Sequence, residues 1–373
     1  MQREILAPRP DWPAKVEALG LDFHTNDGEP YWWEAACYAF STAEIDVIEE
    51  ATETLHAMCL DAVGRLVASG DLARLDIPRA YWPWIAESRR RRDPDVYGRF
   101  DLAYDGVSPP KLLEYNADTP TALLEAAVVQ WYWLGEVKPG CDQFNSLHEK
   151  LIDRWKELRQ RAARVRPGSR LHLSGVFAEL EDRRTVEYMQ DVANQAGWPT
   201  TLLDVSQIGW NGHAFTDLSE SPIGFLFKLY PWEWMLREKF GEHLLDDLIG
   251  IVEPPWKMVL SNKAILPVLW EMFPDHPNLL PAAREREAID GACVEKPNYG
   301  REGADVVLIG EHEIVVNRSD RIYQALAPLP VFDGWHALVG SWIVGGKAAG
   351  MGMREDREPI TRNTSRFVPH YFV

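Results

Sequence analysis

Between Ser41 and Ser69 the apolar positions Ile45, Ile48, Leu55, Cys59, Val63 and Leu66 recur at mostly helical spacing, so one stripe of a long helix is apolar and the rest polar. Ser41 followed three residues later by Glu44 is a capping-box pattern, and Gly70 supplies the stop. The periodicity then shifts to strands. RFDLAYD at 99–105 and KLLEYNAD at 111–118 flank a turn with Gly106 and two prolines, and read as a hairpin. A helix is predicted from Thr121 through TALLEAAVVQWYWL. After it the chain alternates: helix 144–164, strand 171–177, helix 183–196, then strands 199–205 and 223–230. Such alternation predicts an α/β layer.

From about residue 250 the pattern changes again. EPPW at 253–256 is followed by SNKAILPVLWEMF, where Ser261 is placed to cap a helix from Asn262 to Phe273. CVEKP, ADVVLIG, EIVVN, IYQAL and GSWIVGGKAAGMGMR then read as short strands separated by glycines. Together they predict a second, sheet-rich unit that closes over the first. There is no internal repeat and no low-complexity linker.

Composition narrows the class. The 373 residues, 46% hydrophobic and 26% charged, suit a soluble globular protein of two or three packed units. No window approaches the roughly 18 apolar residues of a membrane span. The N-terminal MQREILAPRPDWPAK carries charges and prolines where a signal peptide needs an apolar stretch, so a cytoplasmic location is expected. Cys37, Cys59, Cys141 and Cys293 form no CxxC and are expected to be reduced. The 16 tryptophans, grouped at Trp32–Trp33, Trp131 with Trp133, and Trp232 with Trp234, read as buried packing. A net charge of −18 argues against a broad nucleic-acid surface, yet it leaves room for a local basic pocket and mildly favours a cationic substrate. The run SRRRRDPD at 88–95 reads as a solvated loop or helix end.

The chemistry-bearing residues fall in two places. In the second hairpin arm Glu114 and Asn116 are two apart and share a strand face, and Asp101 on the first arm can lie opposite them. Two carboxylates and an amide oxygen make a hard donor set suited to magnesium. Arg99 shares the face of Asp101, and a guanidinium beside a metal suits reactions of phosphates and carboxylates. By spacing alone the same pattern also serves an ordinary surface ion-pair cluster, and both readings stand at this point. The second place is Lys296-Pro297-Asn298-Tyr299-Gly300-Arg301-Glu302-Gly303, after an apolar strand. A glycine loop carrying Lys and Arg can wrap phosphates. It is not a Walker A loop, and Gly345-Gly346-Lys347 is followed by Ala348. GMG at 350–352 runs into Met353-Arg354-Glu355 and breaks the dinucleotide fingerprint. No HExxH or GxSxG occurs, and His336 reads as structural.

Taken together, YWWEAACYAF at 31–40, GRFDLAYDG with KLLEYNADTPT, EPPWKMVLSNKAILPVLW, EKPNYGREGADV, IYQALAPLP and GSWIVGGKAAGMGMRED leading to SRFVPHYFV resemble the synthetase part of the glutathionylspermidine synthase family, which has the ATP-grasp fold. The resemblance implies an α/β (α+β) architecture of mixed-sheet units, with a sheet-rich lid over an ATP–magnesium site. It implies a division into 1–250, a lid-like 251–330, and C-terminal strands 331–373 that return to the core. The function implied is an ATP-dependent carboxylate–amine ligase working through an acyl phosphate; a kinase-like phosphotransferase and a non-catalytic nucleotide-binding protein are the alternatives.

The roles implied are magnesium for Asp101, Glu114 and Asn116, and catalysis for Arg99 and Arg354. Lys263, Lys296, Arg301 and Gly303 fall to the nucleotide, with backbone contacts to adenine around Gln324 to Leu326. Thr119 and Thr121 fall near a thiol-peptide acid. The partners implied are a small-molecule or peptide carboxylate and an amine, with no nucleic acid or membrane, in a monomer or homodimer. Two departures bear on the substrate. The chain leaves no room for the amidase domain of the bifunctional members, so hydrolysis of the conjugate is not expected. Arg183-Arg184, and Asn363 in the ITxxxSRF segment, stand where acids of a polyamine site are expected, which favours a neutral or zwitterionic amine.

Overall fold

The computed structural model describes residues 1–373 except Asp27, Glu302 and Ile314. In chain order the strands used below are β1 (Gln2–Ile5), β2 (Ala36–Phe40), β3 (Tyr97–Ala103), β4 (Lys111–Asn116), β5 (Leu171–Gly175), β6 (Thr200–Asp204), β7 (Phe225–Leu229) and β8 (Gly250–Val252). They continue with β9 (Ala282–Ala283), β10 (Cys293–Pro297), β11 (Val307–Ile309), β12 (Arg321–Ala325), β13 (Trp335–Val344), β14 (Lys347–Asp356), β15 (Arg366–Val368) and β16 (His370–Phe372). The main helices are α1 (Thr42–Ser69), α2 (Trp82–Arg91), α3 (Gln130–Val137), α4 (Leu147–Val165), α5 (Leu180–Gln195) and α6 (Ile265–Met272).

Three sheets frame the molecule. An antiparallel sheet runs β15-β14-β13-β3-β4, with a short strand, Val331–Phe332, on β13. A parallel sheet runs β8-β7-β5-β6, and a smaller antiparallel sheet runs β9-β12-β10-β11. A three-stranded sheet joins β1, β2 and β16 at the chain ends.

Helix α1 follows its sequence pattern closely. The Ser41 Oγ accepts from Glu44 N at 3.3 Å, Glu44 Oε2 accepts from Ser41 N at 2.7 Å, and Gly70 ends the helix at φ +68°. Its apolar stripe joins one core with Phe100 and Leu102 of β3, Val339 and Ile343 of β13, and α6. A second core gathers Trp133, Trp155, Leu173, Phe227 and Trp342 on the parallel-sheet side. Tyr97 belongs to this second core, so the first residues of β3 and those after them bury into different cores.

The EPPWK segment is fixed to the start of β3 by buried polar groups. Glu253 accepts from Val96 N at 3.1 Å and Tyr97 N at 3.2 Å, and Lys257 donates to Tyr97 O at 2.6 Å and Glu253 at 2.7 Å. All of these groups are satisfied by one another, as burial demands. The network sets the strand bearing Arg99 and Asp101 against the segment that leads to Lys263.

Several expectations are corrected. GSWIVGGKAAGMGMR does not belong to the small sheet with CVEKP and IYQAL: it forms the β13–β14 hairpin, whose almost wholly buried strands join β3 in the central sheet. EIVVN makes no strand at its described residues. Val316 is 85% exposed, and the segment is tied to the turn at Arg286 through a side chain, the Asn317 Oδ1 accepting from Arg286 N at 3.0 Å. Ile314 lies outside the described residues. Helix α6 starts at Ile265, not after Ser261. Asn262 Oδ1 accepts from Ala264 N at 2.8 Å, while Ser261 Oγ turns back to Met258 O at 3.3 Å. The helix predicted from Thr121 is present but opens with a π-helical turn, Glu125–Val129. In each tryptophan group one ring is buried (Trp32, Trp133, Trp232) and its neighbour is partly exposed; Trp33 and Trp234 lie against Arg366 and Arg301. Among the described residues no helix is long and apolar enough to cross a membrane.

Candidate active site

The hairpin places its acids as a strand pair should. Asp101 lies opposite Glu114 and Arg99 opposite Asn116, so all four side chains leave one face. Just beyond, the register slips between Asp101 and Leu102, a β-bulge at Leu113. The bulged carbonyl accepts from Lys296 Nζ at 2.8 Å, and the preceding Leu112 carbonyl from Gln324 Nε2 at 2.9 Å. Lys296 also reaches Gln324 Oε1 at 2.7 Å. The small sheet therefore docks on the free edge of β4 through side chains of β10 and β12.

One cleft lies between this sheet, the hairpin and the parallel sheet. It is lined by all thirteen site residues expected from sequence: Arg99, Asp101, Glu114, Asn116, Thr119, Thr121, Lys263, Lys296, Arg301, Gly303, Gln324, Leu326 and Arg354. Asn363 lines it too. Arg99 holds Asp101 by two bonds, Nε to Oδ1 at 2.6 Å and Nη2 to Oδ2 at 3.0 Å, and gives Nη1 to Thr121 O at 2.7 Å. Lys263 pairs with Glu114 at 3.1 Å and donates to Gly300 O at 2.7 Å. Asn116 donates Nδ2 to Asp101 at 3.2 Å and Glu114 at 3.3 Å. Arg301 donates to Thr119 Oγ1 at 2.8 Å and lies 4.8 Å from the Trp234 ring. Arg354 donates Nη2 to the carbonyls of Arg362, Asn363 and Ser365, and its buried Nε has no acceptor among the described residues. Around the expected adenine segment, Ala325 N and Leu326 N already donate to Pro281 O and Ala292 O at 2.8 and 3.1 Å.

Burial and charge set the protonation. Burial pushes the Glu114 carboxyl up, but the charges of Lys263 and Lys296 outweigh it and hold it below the ordinary carboxylate range. Burial also raises Asp101, against the pull of Arg99. Lys296 is brought down to about 8, chiefly by burial and further by Lys263.

Gly303 explains its own identity. Its φ is +68°, and a Cβ there would stand 2.5 Å from the carbonyl oxygen of Thr361. Gly303→Ala is expected to push the loop at Gly303 off residues 360–361. If that loop closes over bound nucleotide, KM for ATP rises about tenfold with a smaller change in kcat, as steady-state kinetics would show.

The opposite wall was not read from the sequence. β5 and β7 are neighbours whose onward connections run to opposite sides, a topological switch point where ligands bind at the strand C-termini. The segments after those two strands carry Glu181, Asp182 and Glu233 into the cleft. Arg183 and Arg184 are not there. Arg183 pairs with Glu187, and Arg184 with Asp22 and Glu187. The expectation is corrected for Arg183 and Arg184, since Glu181 and Asp182 in the first turn of α5 face the cleft and the two arginines point elsewhere on the helix, while Asn363 lines the cleft.

Behind this wall Glu125, 1% exposed, accepts from Tyr31 OH at 2.6 Å. Burial, and then the charge of Glu181, push its carboxyl up to about 7, with Arg354 and the tyrosine resisting. Because the folded value lies above the unfolded one, the protonated group's contribution to stability is full below its ordinary range and lost as pH rises through about 7. Glu125→Gln should therefore gain melting temperature over the parent at pH 8 and gain little at pH 5, measured by thermal unfolding at both.

Among the described residues no group of three or more His, Cys, Asp or Glu could hold a metal. The hairpin set is two carboxylates and an amide, enough for magnesium, which completes its shell with phosphate oxygens and water. For a polyanion the fit is direct: Arg99, Lys263, Lys296, Arg301 and Arg354 line one cleft, and the Arg354 Nε lacks an acceptor among the described residues.

The family model described as glutathionylspermidine synthase preATP-grasp matches residues 3–373. A protein of Haemophilus influenzae that carries the name acid–amine ligase is 42% identical, over 98% of this chain and 98% of its own. The bifunctional glutathionylspermidine synthetase/amidase of Escherichia coli is 28% identical over 88% of this chain, which spans 58% of that protein's length. A glutathione synthetase-like effector of Globodera pallida shares the fold, with a TM-score of 0.58 over 99% of this chain and 100% of its own at 11% identity. The Haemophilus influenzae and Escherichia coli relatives carry the names of ligases that form carbon–nitrogen bonds, and the chain is an enzyme of that class. It belongs to the glutathionylspermidine synthase family.

Proposed function

We propose that the chain is an ATP-dependent carboxylate–amine ligase of ATP-grasp type that joins its acid and amine through an acyl phosphate. One observation carries this reading: Arg99, Lys263, Lys296 and Arg354, spread over more than two-thirds of the chain, line one cleft with the Asp101–Glu114 pair. In the reaction a substrate carboxylate takes the γ-phosphoryl group and ADP leaves; a neutral amine then attacks the acyl carbon, and inorganic phosphate leaves with the amide formed.

Each residue acts by charge and position. Lys263 and Lys296 hold the nucleotide's phosphates, and Arg301 and Gly303 shape the loop over them. The side chains of Gln324 and Leu326 border the base. Arg99 and Arg354 oppose the charge that spreads over the transferred phosphoryl group. Asp101, Glu114 and Asn116 would hold magnesium, which when bound offsets phosphate charge. Thr119 and Thr121 border the acid. Glu181, Asp182 and Glu233 draw to the far wall an amine that carries positive charge away from its attacking, uncharged nitrogen, in place of the neutral or zwitterionic amine expected from sequence. The sheet β9-β12-β10-β11, within 251–330, acts as the lid that keeps water from the acyl phosphate, with 1–250 and 331–373 as its frame. The four free cysteines, three of them buried, suit the reducing cytoplasm.

The test is phosphate release with paired peptides and amines, read by mass spectrometry. A ligase gives phosphate and amide only when both acid and amine are present. A phosphorylated acceptor without free phosphate would mean phosphotransfer, and no ATP binding with magnesium would end the reading.

A further inference from the structure

At the end of the parallel sheet away from the cleft, the starts of β5, β7 and β8 meet the second half of α4 and the segment after α2 around a groove of about 320 Å³. Its floor is aromatic. Trp155 and Trp198 meet edge to face at 6.0 Å, and Phe225 lies 5.7 Å from Trp198. Gly250 leaves room for the Phe225 ring, which a Cβ there would approach to 2.6 Å. Its rim is apolar as well, with Val165 72% and Leu248 36% exposed.

Charge in this groove is unbalanced. Arg91 is neutralised by Asp93 and Asp247. Arg161 donates to the carbonyls of Arg92 and Arg91 at 2.8 and 3.1 Å, and Arg166 to Leu248 O at 2.6 Å. Among the described residues neither has a carboxylate partner, so both keep their charge beside an apolar slot. Trp155, fully buried in the wall, has an indole N–H with no acceptor among the described residues. An acceptor that entered here would meet two charged donors already fixed by carbonyl bonds, so little side-chain freedom remains to be lost.

We infer that this groove binds a small apolar carboxylate, an alkyl or aryl monoacid. The tail lies on Phe225, Val165 and Leu248, above the buried Trp155 and Trp198 rings, where burial of apolar surface favours it. The carboxylate sits at Arg161 and Arg166, whose planar forks suit that group. A neutral ligand of equal length leaves both charges unmet, and a cationic one is repelled. This inference stands independently of the ligase reading.

Calorimetric titration of the full chain with octanoate, octanol and octylammonium tests it. Octanoate is expected to bind at least about ten times more tightly than octanol, and octylammonium no more tightly than octanol, since a charge-assisted contact is worth about a factor of ten or more. Arg161→Gln with Arg166→Gln should bring octanoate down to the octanol level without changing the melting temperature, and the paired lysine variant should restore part of the loss. Arg301→Ala, in the cleft and outside any buried ion pair among the described residues, should leave octanoate binding unchanged, which separates the groove from the cleft. Equal binding of the three probes, no binding of octanoate, full octanoate binding by the double glutamine variant, or loss of binding in Arg301→Ala would each overturn the inference.

Discussion

Arg99→Ala is expected to lower phosphate release by about 10²–10³-fold, the usual loss when a preorganised donor to developing charge is removed. The same change should lower stability. Arg99 and Asp101 are 8% and 5% exposed, and removing the cation leaves a buried carboxylate whose one remaining hydrogen bond among the described residues comes from the Asn116 amide. Breaking such a pair costs about 3–5 kcal/mol, limited here because Asp101 can take up a proton. Two readouts separate chemistry from folding. Magnesium should stabilise the variant more than the parent, since the ion no longer competes with the guanidinium for Asp101. Arg99→Lys should recover melting temperature without recovering turnover, because an ammonium cannot reach Asp101 and Thr121 O together. Equal turnover in parent and Arg99→Ala would remove Arg99 from the chemistry.

Lys228→Met is expected to be strongly destabilising. Lys228 is 1% exposed, pairs with Asp118, donates to Tyr230 O at 3.0 Å and lies 4.3 Å from the Trp232 ring. Asp118 in turn accepts from Trp232 N at 3.0 Å and lines the cleft. Burial lowers the lysine's pKa against the pull of Asp118, so the charged pair is held by its own geometry. Methionine fills the stem but strands Asp118, at a cost of about 3–5 kcal/mol. For a chain of this length that is a fall of roughly 5 °C in melting temperature. Adding Asp118→Leu should restore much of the loss, because removing both charges also removes the stranded one. A double variant no more stable than Lys228→Met would show that the pair matters through something other than its charge.

The hairpin acids were legible because a strand period of two fixes which side chains share a face, and Asp101, Glu114 and Asn116 needed only that. Helix α1 was legible for a similar reason: its cap, stripe and stop agree. What the sequence did not reveal depends on which distant strands become neighbours. β13 and β14 look like any glycine-rich strands until their burial against β3 is known. The pull of Glu181, Asp182 and Glu233 into one wall follows from the order of the parallel strands, which no local pattern records. Glu125 was missed because an acid inside an apolar helix announces nothing about Tyr31 or Glu181. The arginines at 183 and 184 misled for a simple geometric reason. Successive residues on a helix point about 100° apart, so a shift of two positions separates the cleft from the outer face.

The docking of the small sheet on β4 has a further consequence. β4 is the last strand of its sheet, and its outward carbonyls at Leu112 and Leu113 are taken by Gln324 and Lys296, while Leu112 N donates to Asn278 O at 2.8 Å. Any movement that parts these contacts bares a strand edge, the kind of surface on which other chains add by main-chain pairing. Tight closure would then protect the protein in solution as well as the intermediate. Preparations kept with nucleotide should stay dispersed longest, and those held open should be the first to self-associate.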